Sequence, residues 1–536
     1  MRRMQTGLSR IGMFVLCAIM VALLRLFGDP ACAQEYMQIR PTKIADNMEP
    51  VIPHPKQETQ VKKKLADLQK RFGRKPNVLI ILLDDVGWGD PGCYGGGIAV
   101  GAPTPNIDRM AREGLLLTSC YAQPTCSPTR ATLMTGQLPI HHGLLRPPMF
   151  GEKGGLENAV TAASRLDDAG YTTAIVGKWH CGESEPSQPQ NVGYDEFYGF
   201  LSVCNMYTEW RDPYYNPEIV YSPARTRMIE EQPFSKHLVK AERGDKLQNV
   251  KEITIPVLAQ IDQDFLHYSQ DFIRRMNASA KPFYLIHATS KCHFDNYPAK
   301  GYDGRSPAKQ KYKDALVECD DIVGELLTTL EETGQLENTF VFFTSDNGPE
   351  EEIIRDYGYT PFRSGKGSTW EGGVRVPGIA YWPGIIKPGR QSDGLFDLAD
   401  LFTTSIVLGG GKLPTDRYIY GIDQCPFLFA DEGESNRRSV IYYLLHDLSA
   451  VRIDEYKMYR LATELTTDTH AQVGGLSGST QLYSYGKMFN LYLDPKEERT
   501  LMIRKTWVMP AMQEEMNRFK EVLKKYPPAK TFVGMQ

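Results

Sequence analysis

The sequence predicts an α/β protein: a large mixed, mostly parallel sheet sandwiched by helices, followed by a smaller C-terminal α+β part with an antiparallel sheet. Three observations predict it. Continuous apolar runs rich in branched residues, Asn77-Val-Leu-Ile-Ile-Leu-Leu83 foremost, read as strands buried on both faces. Segments with helical spacing alternate with these runs, the order that builds parallel sheets. Beyond about residue 426 the strand candidates become short and consecutive, and one amphipathic helix follows them.

Residues 1–33 read as a secretory signal peptide. Arg2, Arg3 and Arg10 flank or precede an apolar run over 11–24, and Ala31-Cys32-Ala33 offers small residues at a cleavage point. The run is short for a membrane span, which needs about 20 apolar residues, although Leu26 and Phe27 extend it past Arg25 and keep a retained anchor as the alternative. No stable membrane span is expected, and the mature chain is expected to be periplasmic or secreted.

Residues 34–75 form an N-terminal extension. Pro41, Pro50, Pro53 and Pro55 discourage regular structure, and 58–72 is one short charged helix. The large α/β domain is placed at 76–425. Its first strand, 77–83, ends in Asp84-Asp85. A helix over 159–169 and a strand over 171–176 lead to Gly177-Lys178-Trp179-His180. A helix over 262–276 and a strand over 282–288 lead towards His293, with His287 inside the strand. The helix over 312–332 precedes a strand over 339–344 that stops at Asp346-Asn347. The C-terminal part, 426–536, has strand candidates at 439–444, 450–453, 457–462 and 491–493, and a helix at 509–525.

Composition narrows the function. A net charge of −4 and the lack of a basic run interleaved with aromatics argue against a nucleic-acid binder. Eight of the ten cysteines lie beyond the signal, without a CxxC pair or zinc-like spacing. The position of the polar residues says more. Four predicted strands each deliver reactive side chains just past their carboxyl ends: Asp84 and Asp85, Lys178 and His180, His293, and Asp346 with Asn347. Ligands of open α/β sheets bind outside those ends, so the four sets predict one site. Asp84, Asp85, Asp346 and Asn347 offer hard oxygen ligands suited to calcium or magnesium. The simpler reading of Asp84-Asp85 alone is a turn cap.

The segment Cys126-Ser127-Pro128-Thr129-Arg130, continued by Ala131-Thr132-Leu133-Met134-Thr135-Gly136, resembles the type I sulfatase family, whose modification motif is C-x-P-x-R. Pro128 suits a first helical turn, which puts Cys126 at or near an N-cap, where N–H groups and Arg130 favour anions. Read without the resemblance, Cys126 is a small buried cysteine or an ordinary thiolate nucleophile. Gly177-Lys178-Trp179-His180, the run from Thr344 to Glu350, the run Gly365-Lys366-Gly367-Ser368-Thr369-Trp370-Glu371-Gly372-Gly373-Val374-Arg375, and Asn490-Leu-Tyr-Leu-Asp-Pro-Lys-Glu497 are also similar to segments of that family. A phosphate-loop reading of Gly365-Lys366 fails, because Gly367 follows the lysine.

The resemblance covers the chain from Asn77 onwards and implies a sulfate-ester hydrolase. It implies a Cα-formylglycine made from Cys126 by a formylglycine-generating enzyme, and one Ca2+ held by Asp84, Asp85, residue 126, Asp346 and Asn347. It further implies catalytic roles for Arg130, Lys178, His180, His293 and Lys366, and a sulfated small molecule or glycan as substrate. The family often has His-Pro-His where this chain has Lys291-Cys292-His293, so His293 rests on position alone, with His287 as its competitor. Ser202 and Asn205 are candidates for the polar residue that completes such pockets. Tyr207, Trp210, Tyr214 and Tyr215 are candidates to stack on a substrate ring, or else packing residues. A phosphate- or phosphonate-ester hydrolase on the same scaffold and a non-catalytic binder of sulfated glycans are the alternative functions.

Overall fold

The computed structural model describes residues 41–536 apart from 150, 209–211, 216–222, 224–226, 228–229, 233–234, 352–355, 465–477, 531–532 and 534–536. The signal segment 1–33 and Trp210 lie outside the described residues, as does the side chain of Asn205. Residues Lys43–Gln536 form one compact unit.

Its centre is an eleven-stranded sheet. In chain order the strands are β1 (Asn77–Leu83), β2 (Leu115–Tyr121), β3 (Thr172–Lys178), β4 (Glu196–Phe200), β5 (His237–Glu242), β6 (Gln248–Glu252), β7 (Phe283–Ala288), β8 (Thr339–Ser345), β9 (Arg375–Tyr381), β10 (Arg390–Ser392) and β11 (Phe396–Asp397). The spatial order is β10-β2-β9-β8-β1-β7-β3-β4-β5-β6, with β11 beside β2. The middle five strands, β8-β1-β7-β3-β4, run parallel. β9 is antiparallel to both of its neighbours, and β5 and β6 close the far edge as antiparallel strands.

The continuous apolar run of β1 follows from its place in the middle. Val78, Ile80 and Leu82 enter one core, while Leu79, Ile81 and Leu83 enter another on the opposite face. Strand periodicity sends alternate side chains to opposite faces, so a strand covered on both sides has no polar position. Helices α1 (Pro55–Phe72), α3 (Cys126–Thr135), α4 (Ala162–Asp167) and α7 (Asp400–Leu408) supply the first core through Leu68, Leu133, Leu166 and Phe402. Helices α2 (Pro105–Glu113), α5 (Ile255–Ser279) and α6 (Lys311–Glu332) supply the second through Met110, Phe265 and Leu327.

The segment ahead of β1 packs on the body. Met48 pairs with Ile419, the Asn47 amide donates to the carbonyls of Pro414 and Arg417, and Lys64 donates to those of Ile385 and Phe429. α1 starts at Pro55, whose missing N–H costs nothing in a first turn, and ends at Gly73 with φ 64°.

A second sheet of four antiparallel strands follows: β12 (Ser439–Leu444), β13 (Asp447–Ile453), β14 (Tyr456–Glu464) and β15 (Ser479–Asn490). Helix α8 (Met509–Lys525) covers one face through Met512, Met516 and Phe519. The other face packs Tyr442, Tyr459 and Phe489 against Tyr121, Trp370 and Val374 of the main body. The strand expected at 491–493 is a turn; the fourth strand is β15, just before it. Leu493 is 81% exposed, so its apolar character reflects no burial. β15 carries no apolar run: Ser479, Thr480 and Gln481 open it, Ser484, Gly486 and Lys487 interrupt it, and only its last three residues are buried. No helix among the described residues is long and apolar enough to cross a membrane.

Candidate active site

Adjacent parallel strands bring their carboxyl ends together. β8, β1, β7 and β3 are consecutive neighbours, and the register pairs Leu83 with Ser345 and Gly177 with Ala288. The residues one to five places further on therefore meet over one stretch of sheet edge. Asp84, Asp85 and Asp346 follow β1 and β8, Lys178 ends β3, His180 follows it, and His293 stands five residues beyond β7. Gly177 permits this spacing: it has φ 109°, and a Cβ there would meet the Ala288 carbonyl oxygen at 1.7 Å.

Cys126 enters from the first turn of α3. Thr125 is the extended N-cap, Cys126 the first helical residue, and Gly136 closes the helix with φ 65°. All ten residues of α3 are buried. Pro128 sits in the first turn, where its lack of an N–H leaves no hydrogen bond broken.

One ligand atom each of Asp84, Asp85, Cys126 and Asp346 lies within 4.8 Å of the other three. Three cations balance the carboxylates. Arg130 donates through Nε and Nη2 to Oδ2 of Asp346, at 2.9 and 2.7 Å, and through Nη1 to the Lys178 carbonyl. Lys178 Nζ donates to Asp84 Oδ2 at 2.6 Å, and Lys366 Nζ to Asp85 Oδ2 at 2.7 Å. Asn347 Nδ2 donates to Asp85 Oδ1 at 2.6 Å. Asp84 Oδ1 and Asn347 Oδ1 are buried without a hydrogen-bond partner among the described residues. Buried oxygens in a native fold are almost always satisfied, and two orphans on residues of one site suit a ligand bound there. Oxygen donors suit a hard divalent cation, whereas a Cys126 thiol is a soft one.

Burial is the largest influence on the titratable groups of the site. Burial pushes the Cys126 thiol up to about 12, against the pull of Lys178 and Lys366, so an unmodified cysteine here holds its proton. His180 is pushed well below the ordinary histidine range by burial and then by Lys178, Arg130 and Lys366. Neither of its ring nitrogens forms a well-directed hydrogen bond among the described residues. His293 is lowered in the same way, by burial, Lys366 and Lys178. Burial also works against charge on Lys366, but the carboxylates of Asp85 and Glu350 outweigh it and hold the ammonium well above the ordinary lysine range. Asp85 and His180 adopt left-handed backbone conformations, φ 53° and 56°, of the kind that persist where surrounding structure enforces them.

Of the remaining candidates, His287 is a core residue of β7, bonded through Nδ1 to the Ser269 hydroxyl at 2.9 Å. Ser202 caps the short turn over Val203–Met206. The Tyr207 ring lies 5.9 Å from that of His293. Tyr215 is tied to Asn296 and Asp356, which makes it a packing residue, and Tyr214 is exposed. Sequence reasoning did not foresee the supports of Lys366. Its amide donates to the Pro349 carbonyl, and the next amide, of Gly367, donates to the Pro124 carbonyl two residues before Cys126. These are backbone contacts, for which side-chain identity carries no signal.

A buried cluster of carboxylates and fixed cations at the carboxyl edge of a parallel sheet, beside a helix N-terminus, defines a hydrolase of esters of tetrahedral oxyanions. The family model described as Sulfatase matches residues 76–411, and that of the putative sulfatase AslA C-terminal domain matches 449–524. N-acetylgalactosamine-6-sulfatase of Rattus norvegicus is 39% identical over 402 residues, 72% of this chain and 71% of the relative. Arylsulfatase A of Homo sapiens is 32% identical over 443 residues, 80% and 84% of the two chains. The crystal structure of PsFucS1 sulfatase from Pseudoalteromonas sp. has a TM-score of 0.87 and 44% identity, covering 91% of this chain and 99% of that one. The chain belongs to the type I sulfatase family and is a sulfuric ester hydrolase.

Proposed function

We propose that the chain hydrolyses sulfate esters of sugars to alcohol and inorganic sulfate, with residue 126 matured to formylglycine and one calcium ion held at the carboxylate cluster. The observation that carries the proposal is the meeting of Asp84, Asp85, Asp346 and Cys126 within 4.8 Å, ringed by Arg130, Lys178 and Lys366. Three carboxylates against three cations leave no surplus positive charge to draw in an anion, and a divalent ion supplies it. Asp84, Asp85, Asp346 and the Asn347 amide oxygen would hold that ion. Oxidation of Cys126 replaces the one soft donor by oxygen, which removes the mismatch. When present, the ion contributes Lewis acidity, and the hydrated aldehyde contributes one hydroxyl to attack sulfur and a second whose proton can leave.

The chain's own residues divide the remaining work. Arg130 fixes Asp346. Lys178 and Lys366 offset charge on the sulfuryl oxygens, an interaction strengthened by their burial. By the resemblance, the departing alcohol would take its proton from Lys366, whose ammonium is held charged, or from His293. His180, neutral and without a well-directed partner, is suited to accept a proton from the group at residue 126. A sugar as the alcohol part is supported by the N-acetylgalactosamine-6-sulfatase relatives. The same proposal includes maturation by a formylglycine-generating enzyme and export to the periplasm or beyond, the latter resting on the pattern of residues 1–33.

The test is hydrolysis of p-nitrophenyl sulfate, p-nitrophenyl phosphate and 6-O-sulfated N-acetylhexosamines by protein coexpressed with a formylglycine-generating enzyme. Sulfate-selective turnover that vanishes in Cys126→Ala is expected. Preference for the phosphate ester would move the reaction to a phosphate- or phosphonate-ester hydrolase, and binding of sulfated sugars without turnover would make the chain a binding protein.

A further inference from the structure

Lys366 reaches the site from the segment 363–374, and that segment is held at two ends. Towards the site, backbone bonds to Pro349 and Pro124 fix Lys366 and Gly367. Away from the site, the holding groups come from the C-terminal sheet. Lys457 of β14, fully buried, donates to the Thr369 carbonyl at 2.8 Å and to Glu371 Oε1 at 2.7 Å. The Tyr459 hydroxyl lies 3.0 Å from the same Thr369 carbonyl and 2.6 Å from Glu497 Oε1, with one hydrogen to give to either. Glu497 Oε2 accepts the Glu371 amide at 2.8 Å, and the Trp370 indole donates to the Thr463 carbonyl at 2.7 Å.

A buried ammonium is expensive to desolvate unless it is fully paired. This one has a carbonyl, the carboxylates of Glu371 and Glu497, at 2.7 and 3.7 Å, and the faces of Tyr442 and Tyr459, at 4.2 and 5.0 Å, and among the described residues it touches none of the proposed catalytic groups. Its carbonyl partner, Thr369, is three residues from Lys366, in a segment with little slack. A Cβ at Gly372 would meet the Ser364 carbonyl oxygen at 1.8 Å, so the two limbs of the segment already touch backbone to backbone. A shift at Thr369 is therefore carried to Lys366 rather than absorbed.

We propose that Lys457 is a positioning residue for the hydrolysis, acting through Lys366 by anchoring Thr369 and Glu371 to the C-terminal sheet. The inference rests on the role given to Lys366 above. The first arm of the test is a double-mutant cycle on kcat, with rates normalised to the aldehyde content at residue 126. Lys457→Met is expected to lower kcat by about 10²-fold with a far smaller change in KM, the scale of a small misplacement of a reacting group. Tyr459→Phe, which removes one hydroxyl and keeps the ring, is expected to lower kcat in the same direction by less. In a Lys366→Ala background, Lys457→Met is expected to cost no more than about twofold further, because the group it positions is gone. Losses that multiply in the double variant would overturn the proposal. The second arm is amide hydrogen exchange, which needs no turnover. Lys457→Met should speed exchange in 363–374 and leave 339–345 protected; unchanged exchange, or a uniform rise across the chain, would overturn it. A chain that hydrolyses no sulfate ester would sink the proposed function, and the exchange arm would still decide the anchoring.

Discussion

Both Nε and Nη2 of Arg130 donate to a single oxygen of Asp346, leaving the other oxygen to the Asp85 amide at 3.3 Å. The arginine comes from helix α3 and the aspartate directly follows β8, so this fork joins the helix that carries Cys126 to the strand that delivers Asp346. It also limits what Asp346 can do. The oxygen that accepts two guanidinium hydrogens is a poor proton acceptor, although burial and the neighbouring Asp84 raise the carboxyl as a whole above the ordinary aspartate range.

The fork is expected to hold the fold as well as the site. Arg130→Met leaves the Asp346 carboxylate buried without its partner, a change that typically costs about 3–5 kcal/mol. Urea unfolding of the purified variant checks this, and an unaltered midpoint would show that the carboxylate finds another cation.

Lys366 and Lys178 are each paired with a carboxylate at the site, yet their proposed work is on the substrate. Substituting either by alanine is expected to lower kcat by about 10²–10³-fold, the usual effect of removing one preorganised charge from a transition state. Steady-state kinetics on p-nitrophenyl sulfate, corrected for aldehyde content, measure it. An effect confined to KM would assign the lysine to substrate binding alone.

Removal of the divalent ion is expected to destabilise the chain, because a ligand bound only by the folded state stabilises it by mass action, by about 2.7 kcal/mol at a hundredfold excess over Kd. Chelation should lower the unfolding midpoint, and added calcium should restore it. Asp84→Asn should weaken the calcium response. A midpoint indifferent to chelator and calcium would argue against the ion.

His287 and His293 are expected to separate cleanly. Burial lowers His287 to about 4, below its ordinary 6.5. Its contribution to stability is therefore complete above about 6.5 and is lost as pH falls towards 4. At pH 5 the loss is about 2 kcal/mol relative to neutrality. His287→Phe should flatten this pH dependence of urea unfolding by that amount and leave kcat unchanged, whereas His293→Ala should lower kcat by about 10²-fold. A fall in kcat with His287→Phe would exchange the two assignments.

What the sequence disclosed and what it withheld have physical causes. β1 and β8 were legible because a strand covered on both faces has no polar position, and helix α6 because its apolar spacing runs unbroken over 22 residues. Strands β2 and β9 were missed: Thr118 and Ser119 interrupt the apolar character of one, Pro377 and Gly378 that of the other, and β9 starts at the last residue of the motif carrying Lys366. The grouping of Asp84, Lys178 and Asp346 could be anticipated because each stands at a strand's carboxyl end, and parallel neighbours bring such ends together. Which lysine meets which aspartate could not. Nor could the link from Lys457 to Thr369, which joins residues 88 apart through a side chain that in sequence is one more lysine in a strand.

The central claim is that residue 126 works as an aldehyde. The most direct measurement is the mass of the peptide containing residue 126, taken on the same samples whose sulfate-ester turnover is measured, across preparations made with and without a formylglycine-generating enzyme. Turnover proportional to the aldehyde fraction, and absent where the thiol is intact, is the predicted result. Full turnover from protein whose Cys126 is unmodified would contradict it.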